Sequence, residues 1–263
     1  PEMSRGLGDV YKRQYILSMQ SNIDLVEYES VTRIYNHHSL QNLKSLGSNR
    51  VQDNNIGILQ SDTCKKAITI VFWDISGFSK LTKLFYLMDR ENIILEILDE
   101  YYRIARSIIA RNNGVWDKTI GDDIMSWFGF FEKNIPERNS GHDDGALDAI
   151  NAAIELRNIF QNFKDKVKSA WNINGVNLDF NIKCGINTGQ AHIGLVYDQF
   201  TAMGTNVNIA SRLQEFAKGD QIIISNATME KICLKGYNLR RISVNSDNLI
   251  KSFEDIDCCY EIL

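Results

Sequence analysis

Two acidic positions in the sequence have the residue type and the setting that phosphate chemistry requires. Asp74 directly follows the apolar segment 67–73, and Asp122 lies in a Gly-Asp-Asp sequence between two further apolar segments. If the first segment is a strand that neighbours the following hairpin, the two carboxylates face each other. Carboxylates at short range repel, and a divalent cation between them removes that repulsion. Oxygen ligands without Cys or His favour Mg²⁺ or Mn²⁺ over zinc, and two such ions about 4 Å apart serve phosphoryl displacement.

Each aspartate taken singly also has a purely structural interpretation. Asp122 satisfies a hairpin turn, and Asp74 caps a helix that begins near Ser76. Other common catalytic patterns are not present: the sequence has no GxxxxGK[ST] phosphate loop, and its four histidines have no metal-ligand spacing. Residue types alone therefore leave the metal-binding and the structural interpretations of the two aspartates open.

The elements that must position these residues alternate between strand and helix. The periodicity of apolar residues predicts a strand over 67–73, helical structure over 77–112, a hairpin over 115–130 around residues 121–123, a helix over 142–168, a second hairpin over 180–196 around Thr188-Gly-Gln190, a helix over 207–216, and strands over 221–225 and 258–263. This order predicts an α+β fold. We expect a ferredoxin-like βαββαβ core, with helices packed on a mostly antiparallel sheet.

Composition excludes several other classes of protein. The chain has 263 residues, a net charge of −4 and no broad basic surface, so nucleic acid is disfavoured as a partner. Its longest apolar run is far shorter than the roughly 20 residues that a membrane-spanning helix needs. The five cysteines form no CxxC pair and are more typical of reduced thiols. We therefore expect a cytoplasmic domain.

The sequence suggests three segments with different roles. Residues 1–14 resemble the translation of a sequencing adapter, and we predict that they are not native. Residues 15–63 predict a helical linker or dimerisation segment, and residues 64–263 a folded domain. We expect the native protein to continue upstream of Tyr15, where a membrane or sensor domain would lie and could associate the full-length protein with a membrane.

Four short motifs follow one another between residues 71 and 212. They read VFWDISGFS (71–79), GVWDKTIGDDIM (114–125), CGINTG (184–189) and MGTNVNIASR (203–212). In this order they resemble the successive motifs of the class III nucleotidyl cyclase catalytic domain. The resemblance identifies Asp74 and Asp122 as metal-binding residues, adds the Ile75 carbonyl as a ligand, and makes Asp123 a flanking residue.

The resemblance implies an adenylate cyclase. ATP would be converted to 3′,5′-cyclic AMP and pyrophosphate by attack of the ribose 3′-hydroxyl on the α-phosphate. Two Mg²⁺ or Mn²⁺ ions would assist, one lowering the pKa of the hydroxyl and the other binding the triphosphate. Backbone amides at Gly77, Phe78 and Ser79 open a predicted helix and would receive phosphate oxygens. Lys251 resembles the family's triphosphate-binding lysine, although Ser252 replaces the glycine that usually follows.

Further positions of the family fall on a predicted helix and on two residues that would read the base. Asn208 and Arg212 share a helix face, where they would orient the ribose and stabilise charge at the α-phosphate. Lys118 would donate to the adenine ring, and Thr201 would accept from the adenine amino group. This Lys/Thr pair resembles the subgroup whose activity bicarbonate stimulates.

In this family the active site lies between two domains, so the resemblance implies a head-to-tail homodimer with shared sites. Three alternatives account for part of the same pattern. A guanylate cyclase differs only in the base, and an inactive cyclase-like module would serve dimerisation or nucleotide sensing. A palm-type polymerase also has Gly-Asp-Asp on a hairpin, but this chain is too short for fingers and thumb and lacks a basic template channel.

Overall fold

The structure is a computed structural model that describes residues 64–130, 144–171, 180–196, 199–232, 235–244 and 256–263. The segments predicted over 1–14 and 15–63 lie outside the described residues. Lys251 also lies outside them. Among the described helices, none combines the length and apolar character needed to cross a bilayer.

The described residues form one eight-stranded sheet with helices packed against it. In chain order the elements are β1 (Cys64–Ser76), α1 (Phe78–Leu87), α2 (Asn92–Arg111), β2 (Gly114–Ile120), β3 (Asp123–Phe128), α3 (Ala146–Ala170), β4 (Asn181–Val196), β5 (Gln199–Met203), α4 (Thr205–Phe216), β6 (Ile222–Ser225), α5 (Asn226–Ile232), β7 (Leu239–Ser243) and β8 (Cys258–Ile262). The strand order is β2-β3-β1-β4-β6-β8-β7, and β5 pairs with β4. Only the β4–β6 pair is parallel among these neighbours. The predicted α+β fold with a mostly antiparallel sheet is confirmed.

The core lies between the sheet and its longest helices. Helix α2 buries Ile93, Ile97, Tyr101, Ala105 and Ile108, which recur every three to four residues and so form one apolar face. Helix α3 packs its own buried face, including Phe160, into the same core. A second cluster covers β6 and β8 from α4, with Leu213 and Ala217 packed on Ile223 and Cys259. Adjacent residues Ile222 and Ile223 belong to different clusters, so α4 lies on the opposite sheet face.

The helical segment predicted over 77–112 is two helices. Helix α1 ends at Leu87 and α2 begins at Asn92. Between them Asp89 adopts a positive φ of 54°, a conformation that no α-helix continues through. Apolar periodicity continues across this break, which is why the sequence alone did not reveal it.

The turn predicted at Thr188-Gly-Gln190 is wrong. Strand β4 runs without interruption from Asn181 to Val196, and the chain reverses only beyond it, towards β5. Gly189 has a different role: a Cβ placed there would lie 2.4 Å from the side chain of Asn206. Because Gly189 has no side chain, β4 can approach the start of α4 closely. Glycine often indicates a turn, but at this position it permits tight packing between a strand and a helix. The short elements β5, α5 and β7 were not predicted.

A chain of buried hydroxyl groups joins β1, β4 and the start of α5. Thr69 Oγ1 donates to the Asp144 carbonyl at 2.9 Å and lies 2.8 Å from Thr188 Oγ1. Thr188 Oγ1 in turn lies 3.0 Å from Thr228 Oγ1, which is 3.1 Å from Ser225 Oγ. Hydroxyl groups buried in this way need each other as partners, so the chain ties these elements together.

Candidate active site

The ends of β1 and β4 place an acidic and a basic side chain together. Asp74 and Lys183 are directly opposite in the antiparallel β1–β4 register. Lys183 Nζ lies 2.7 Å from Asp74 Oδ2, and both side chains are largely shielded from solvent. Asp74 lies inside β1, while α1 begins after Gly77 without a side-chain cap. The interpretation of Asp74 as a helix cap is therefore wrong.

The β2–β3 hairpin brings two further carboxylates to Asp74. Gly121 turns the chain with a φ of 64°, and Asp122 Oδ2 accepts a hydrogen bond from the Ile75 amide at 3.3 Å. The carboxyl groups of Asp122 and Asp123 both interact with that of Asp74. The predicted meeting of Asp74, Ile75 and Asp122 is observed. Asp123, which we expected to be a flanking residue, lies in the same carboxylate cluster.

The three neighbouring, partly buried carboxyl groups have different pKa values because their interaction partners differ. Burial raises the pKa of Asp122 to about 7, and the hydrogen bond and charge of Asp74 act in the same direction. Burial followed by the charge of Asp74 likewise raises the pKa of Asp123 to about 7. For Asp74 burial also acts upwards, but hydrogen bonds from Asp122 and Lys183 outweigh it and lower its pKa. Near neutral pH the cluster therefore retains protons that offset its negative charge.

These donors fit a divalent cation. The cluster offers carboxylate oxygens without Cys or His, a set that suits Mg²⁺ or Mn²⁺. Burial and the neighbouring Asp74 raise the pKa values of Asp122 and Asp123, so a bound cation would stabilise their charged forms. Within the described ranges no group of three or more His, Cys, Asp or Glu is placed so that it could hold a metal ion by itself. The candidate ligand set is accordingly Asp74, Asp122 and the Ile75 backbone, which a substrate phosphate would have to complete.

The start of α1 lies directly after these ligands. Gly77 adopts a left-handed conformation with a φ of 82°, which turns the chain from β1 into a helix beginning at Phe78. The Gly77 carbonyl then accepts the Lys80 and Leu81 amides at 3.0 and 3.1 Å. Gly77, Phe78 and Ser79 thus form a helix N-terminus beside the carboxylate cluster, which is a setting that favours anions.

Helix α4 carries Asn208 and Arg212 one turn apart, as predicted. Asn208 is exposed. Arg212 Nη1 lies 2.5 and 2.7 Å from the two carboxylate oxygens of Glu215. The hydrogen bond and the charge of Glu215 raise the pKa of Arg212, so the guanidinium stays charged.

Two close contacts hold α4 against β4. Asn187 Nδ2 donates to the backbone and side-chain oxygens of Asn206 at 2.9 and 3.0 Å. A Cβ at Gly185 would lie 2.1 Å from the Gln214 backbone nitrogen, so only glycine permits this approach. The motif CGINTG therefore positions the helix that carries Asn208 and Arg212.

The two residues predicted to read the base lie together at β2 and β5. Lys118 Nζ donates to Thr201 Oγ1 at 2.9 Å. Thr201 Oγ1 donates to Asp117, 2.8 Å from Oδ1 and 3.0 Å from Oδ2. Asp117 also accepts from Trp127 Nε1 at 2.9 Å. The predicted pair is observed, and it is attached to a buried carboxylate.

Sequence reasoning missed two charged residues of this region, Lys183 and Asp117. Both lie within predicted strands among apolar neighbours, and that exception to the apolar pattern was the available signal. Their partners are distant in the chain, since Lys183 pairs with Asp74 and Asp117 with Thr201. Lys251, the remaining predicted site residue, lies outside the described residues.

Comparison with known proteins agrees with this geometry. The model of the adenylate and guanylate cyclase catalytic domain matches residues 61–251. Adenylyl cyclase CyaB from P. aeruginosa has a similar structure, with a TM-score of 0.64 and 25% identity, covering 76% of this chain and 95% of that chain.

Two curated proteins illustrate the range of related enzymes. Adenylate cyclase 1 of Rhizobium meliloti is 26% identical over 171 residues, which is 63% of this chain and 23% of that protein. Guanylate cyclase 32E of Drosophila melanogaster is 26% identical over 176 residues, covering 66% of this chain and 14% of its own length. The chain thus spans less than a quarter of either relative, and the two carry different names for the nucleotide.

Proposed function

Because the chain belongs to the adenylate and guanylate cyclase catalytic domain family, we propose that it converts ATP to 3′,5′-cyclic AMP and pyrophosphate. The observation that carries the choice of ATP is the Lys118–Thr201 pair, whose side chains are joined at 2.9 Å. We assign the catalytic domain to residues 64–263 and the helical linker to residues 15–63.

The carboxylate cluster would bind the triphosphate end of the substrate. Two Mg²⁺ or Mn²⁺ ions held by Asp74, Asp122 and the Ile75 carbonyl would lower the pKa of the 3′-hydroxyl and neutralise phosphate charge. The ammonium group of Lys183, 2.7 Å from Asp74, adds fixed positive charge beside the same phosphates. The helix N-terminus at Gly77, Phe78 and Ser79 offers amide donors to them, and we assign Lys251 to the triphosphate as well.

Helix α4 would act on the reacting centre. Arg212 presents a charged, planar guanidinium that stabilises negative charge developing at the α-phosphate. Asn208, one turn earlier, would hold the ribose so that its 3′-hydroxyl faces that phosphate. Glu215, which holds the Arg212 guanidinium in the free chain, would have to yield it to the substrate.

Lys118 and Thr201 would recognise adenine through its Watson–Crick edge. The ammonium group donates to a ring nitrogen, and the hydroxyl accepts from the 6-amino group. The pair also supports assignment to the subgroup that bicarbonate stimulates, and a flat yield of cyclic AMP across added bicarbonate at fixed pH would contradict that assignment. The Drosophila relative keeps guanylate cyclase as the second candidate.

We further propose a head-to-tail homodimer whose two sites are each shared between chains. Two large apolar side chains of the β4–β5 arm are open to solvent in the single chain: Val196 is 51% exposed and Met203 is 55% exposed. Met203 pairs with His192, four residues from Val196 on β4, so the two side chains lie on the same face of the strand pair, and exposed apolar groups that share a face favour an interface. The exposed Asn208 would then face the partner's carboxylate cluster.

The deciding experiment measures both cyclic products. The full chain is incubated with ATP or GTP and with Mg²⁺ or Mn²⁺, and cyclic AMP and cyclic GMP are quantified. We expect cyclic AMP, abolished by Asp74→Asn and retained by Asp99→Asn, whose carboxylate is 71% exposed on α2. Faster formation of cyclic GMP would identify a guanylate cyclase. Binding of an ATP analogue without product from either nucleotide would identify an inactive nucleotide-sensing module.

A further inference from the structure

Asp117 is a buried carboxylate surrounded by hydrogen-bond donors. Its side chain is 1% exposed. Oδ2 accepts from Trp127 Nε1 and from the Ala202 amide, both at 2.9 Å. Oδ1 lies 2.8 Å from Thr201 Oγ1 and 3.3 Å from Lys118 Nζ. Two of the four groups that contact this carboxylate are therefore the two proposed base-reading side chains.

Counting protons fixes the direction of each of these hydrogen bonds. A hydroxyl group has one proton to donate and two lone pairs, a carboxylate only accepts, and an ammonium group only donates. Thr201 must therefore give its single proton to Asp117 and accept from Lys118. The Thr201 hydroxyl therefore has one lone pair left to accept a hydrogen bond from a ligand, and it has no proton left to donate.

We infer that Asp117 is the positioning residue that makes this site select a 6-aminopurine over a 6-oxopurine. With its proton held by Asp117, Thr201 can accept a hydrogen bond from a 6-amino group but cannot donate one to a 6-oxo group. The purine oxygen of GTP would face the lone pair of the Thr201 hydroxyl, which is unfavourable in a site that excludes water. The inference rests on the proposed function for the identity of the base-reading pair.

Asp117 also fixes where the two side chains stand. The Ala202 amide and Trp127 Nε1 hold the carboxylate at β5 and β3 independently of Thr201 and Lys118. Lys118 retains 33% exposure of its side chain, so its ammonium group is reachable by a ligand while tethered. The site is therefore arranged for its base before any base is bound.

Replacing Asp117 by Asn weakens the hold on the Thr201 proton at nearly constant shape. The Asn amide oxygen must take the Oδ2 position, because two N–H donors face it there. The amide NH₂ then occupies the Oδ1 position and donates to Thr201. The shorter of the two contacts that hold the Thr201 proton is thereby lost, and only the amide oxygen, 3.0 Å away, still competes with the base for that proton. The amide NH₂ also faces Lys118 Nζ with no acceptor to offer. Thr201 could then donate to a 6-oxo group, which it cannot do in the original chain.

The test compares kcat/KM for ATP and GTP in the full chain and in Asp117→Asn. We expect the ATP-to-GTP ratio to fall about tenfold or more, the effect of one hydrogen bond reversed. Purine riboside triphosphate, which has no 6-substituent, is a third substrate that isolates this contact. ATP should lose its advantage over that substrate in the Asp117→Asn variant.

Trp127→Phe is the matched control. It removes one hydrogen bond from Asp117 and leaves those of Thr201 and Lys118 in place. We expect it to lower thermal stability but to leave the ATP-to-GTP ratio within twofold of the original chain. An unchanged ratio in Asp117→Asn, or an equal fall in both variants, would overturn the inference and leave Asp117 as a structural tie.

A binding measurement separates this inference from the proposed function. Competition between 3′-deoxy-ATP and 3′-deoxy-GTP reads base selectivity without requiring cyclisation. If the original chain makes no cyclic product, the proposed activity fails, and the binding ratio still decides the role of Asp117. If cyclic AMP forms and neither ratio responds to Asp117→Asn, the inference fails while the activity stands.

Discussion

Two regions of this chain contain shielded aspartates that differ in how many hydrogen-bond donors and positive charges surround them. At the purine end, Asp117 has donors on every side: an indole, an amide, a hydroxyl and an ammonium group. At the proposed metal end, Asp74, Asp122 and Asp123 share one ammonium group, and Asp122 and Asp123 have pKa values raised to about 7. The purine end is thus complete without a ligand, whereas the metal end lacks positive charge until a ligand brings it. A fixed reader of the base and an electrostatically incomplete anchor for the cations are what a nucleotide enzyme needs.

The largest expected effect tests whether the metal end of one chain works with α4 of another. Asp74→Ala and Arg212→Ala should each lower cyclic product formation by about 10²-fold or more, because each removes charge stabilisation at the reacting phosphate. Mixing the two variants should restore about one quarter of the original activity, since random pairing leaves half of the dimers with one intact site of two.

A mixture of Asp74→Ala with Asp122→Ala is the control for that experiment. Both changes lie at the metal end, so no pairing of these chains yields an intact site. Recovery in this control, or its absence in the first mixture, would contradict the shared-site dimer.

The next largest effect contrasts the stabilities of the two regions. Asp117→Ala leaves the indole of Trp127 and the amide of Ala202 without their acceptor, and we expect it to lower the free energy of unfolding by about 2–4 kcal/mol. Asp122→Ala removes one of three repelling carboxylates, so without divalent cations at pH 8 it should leave stability unchanged or raise it. Urea unfolding of both variants measures the difference. Equal losses would show that the metal end is as well satisfied as the purine end.

The smallest effect is a dependence of stability on pH that belongs to the metal end alone. With pKa values of about 7, Asp122 and Asp123 keep protons that the unfolded chain releases above about pH 4. The free energy of unfolding should therefore fall as pH rises from 5 to 7.5, lowering the melting temperature by about 2–4 °C in the absence of divalent cations. Thermal unfolding in a chelator measures this.

Asp122→Asn should flatten that pH dependence, and added Mn²⁺ should reverse it by binding the ionised carboxylates. A melting temperature that rises over the same pH range without cations would show that the two carboxylates are not strained by each other.

The meeting of Asp74 and Asp122 at the proposed metal end could be predicted from the sequence because it depends on local patterns. Asp74 ends an apolar segment, and Asp122 lies in a hairpin turn, so a common sheet topology brings them together. Lys183 was not predicted, since its role depends on the register of β4 against β1 and not on its sequence neighbours. The resemblance predicted Asp123 only as a flanking residue, and its interaction with Asp74 depends on the geometry of the turn, which no motif states.

At the proposed purine end, motif position predicted two residues, but the sequence did not predict the residue that holds them. Lys118 and Thr201 were identified by motif position, 83 residues apart, and the structure brings them into contact. Asp117 gave no local signal beyond its place in an apolar strand. The false turn at Thr188-Gly-Gln190 has the same origin: Gly189 serves contact with Asn206, and a sequence does not say which distant side chain a glycine must admit.

The chain of buried hydroxyls has a consequence for how reliably the metal end is assembled. Thr69 pairs with Thr188 on the same two strands that pair Asp74 with Lys183 five residues farther along. A slip of one residue between β1 and β4 would separate these hydroxyls inside the core and break the hydrogen bond between them. The same slip would turn Lys183 away from Asp74. A misaligned β1–β4 pair therefore loses stability at a position five residues from the site. Formation of the core thus selects the same strand register that brings Asp74 and Lys183 together.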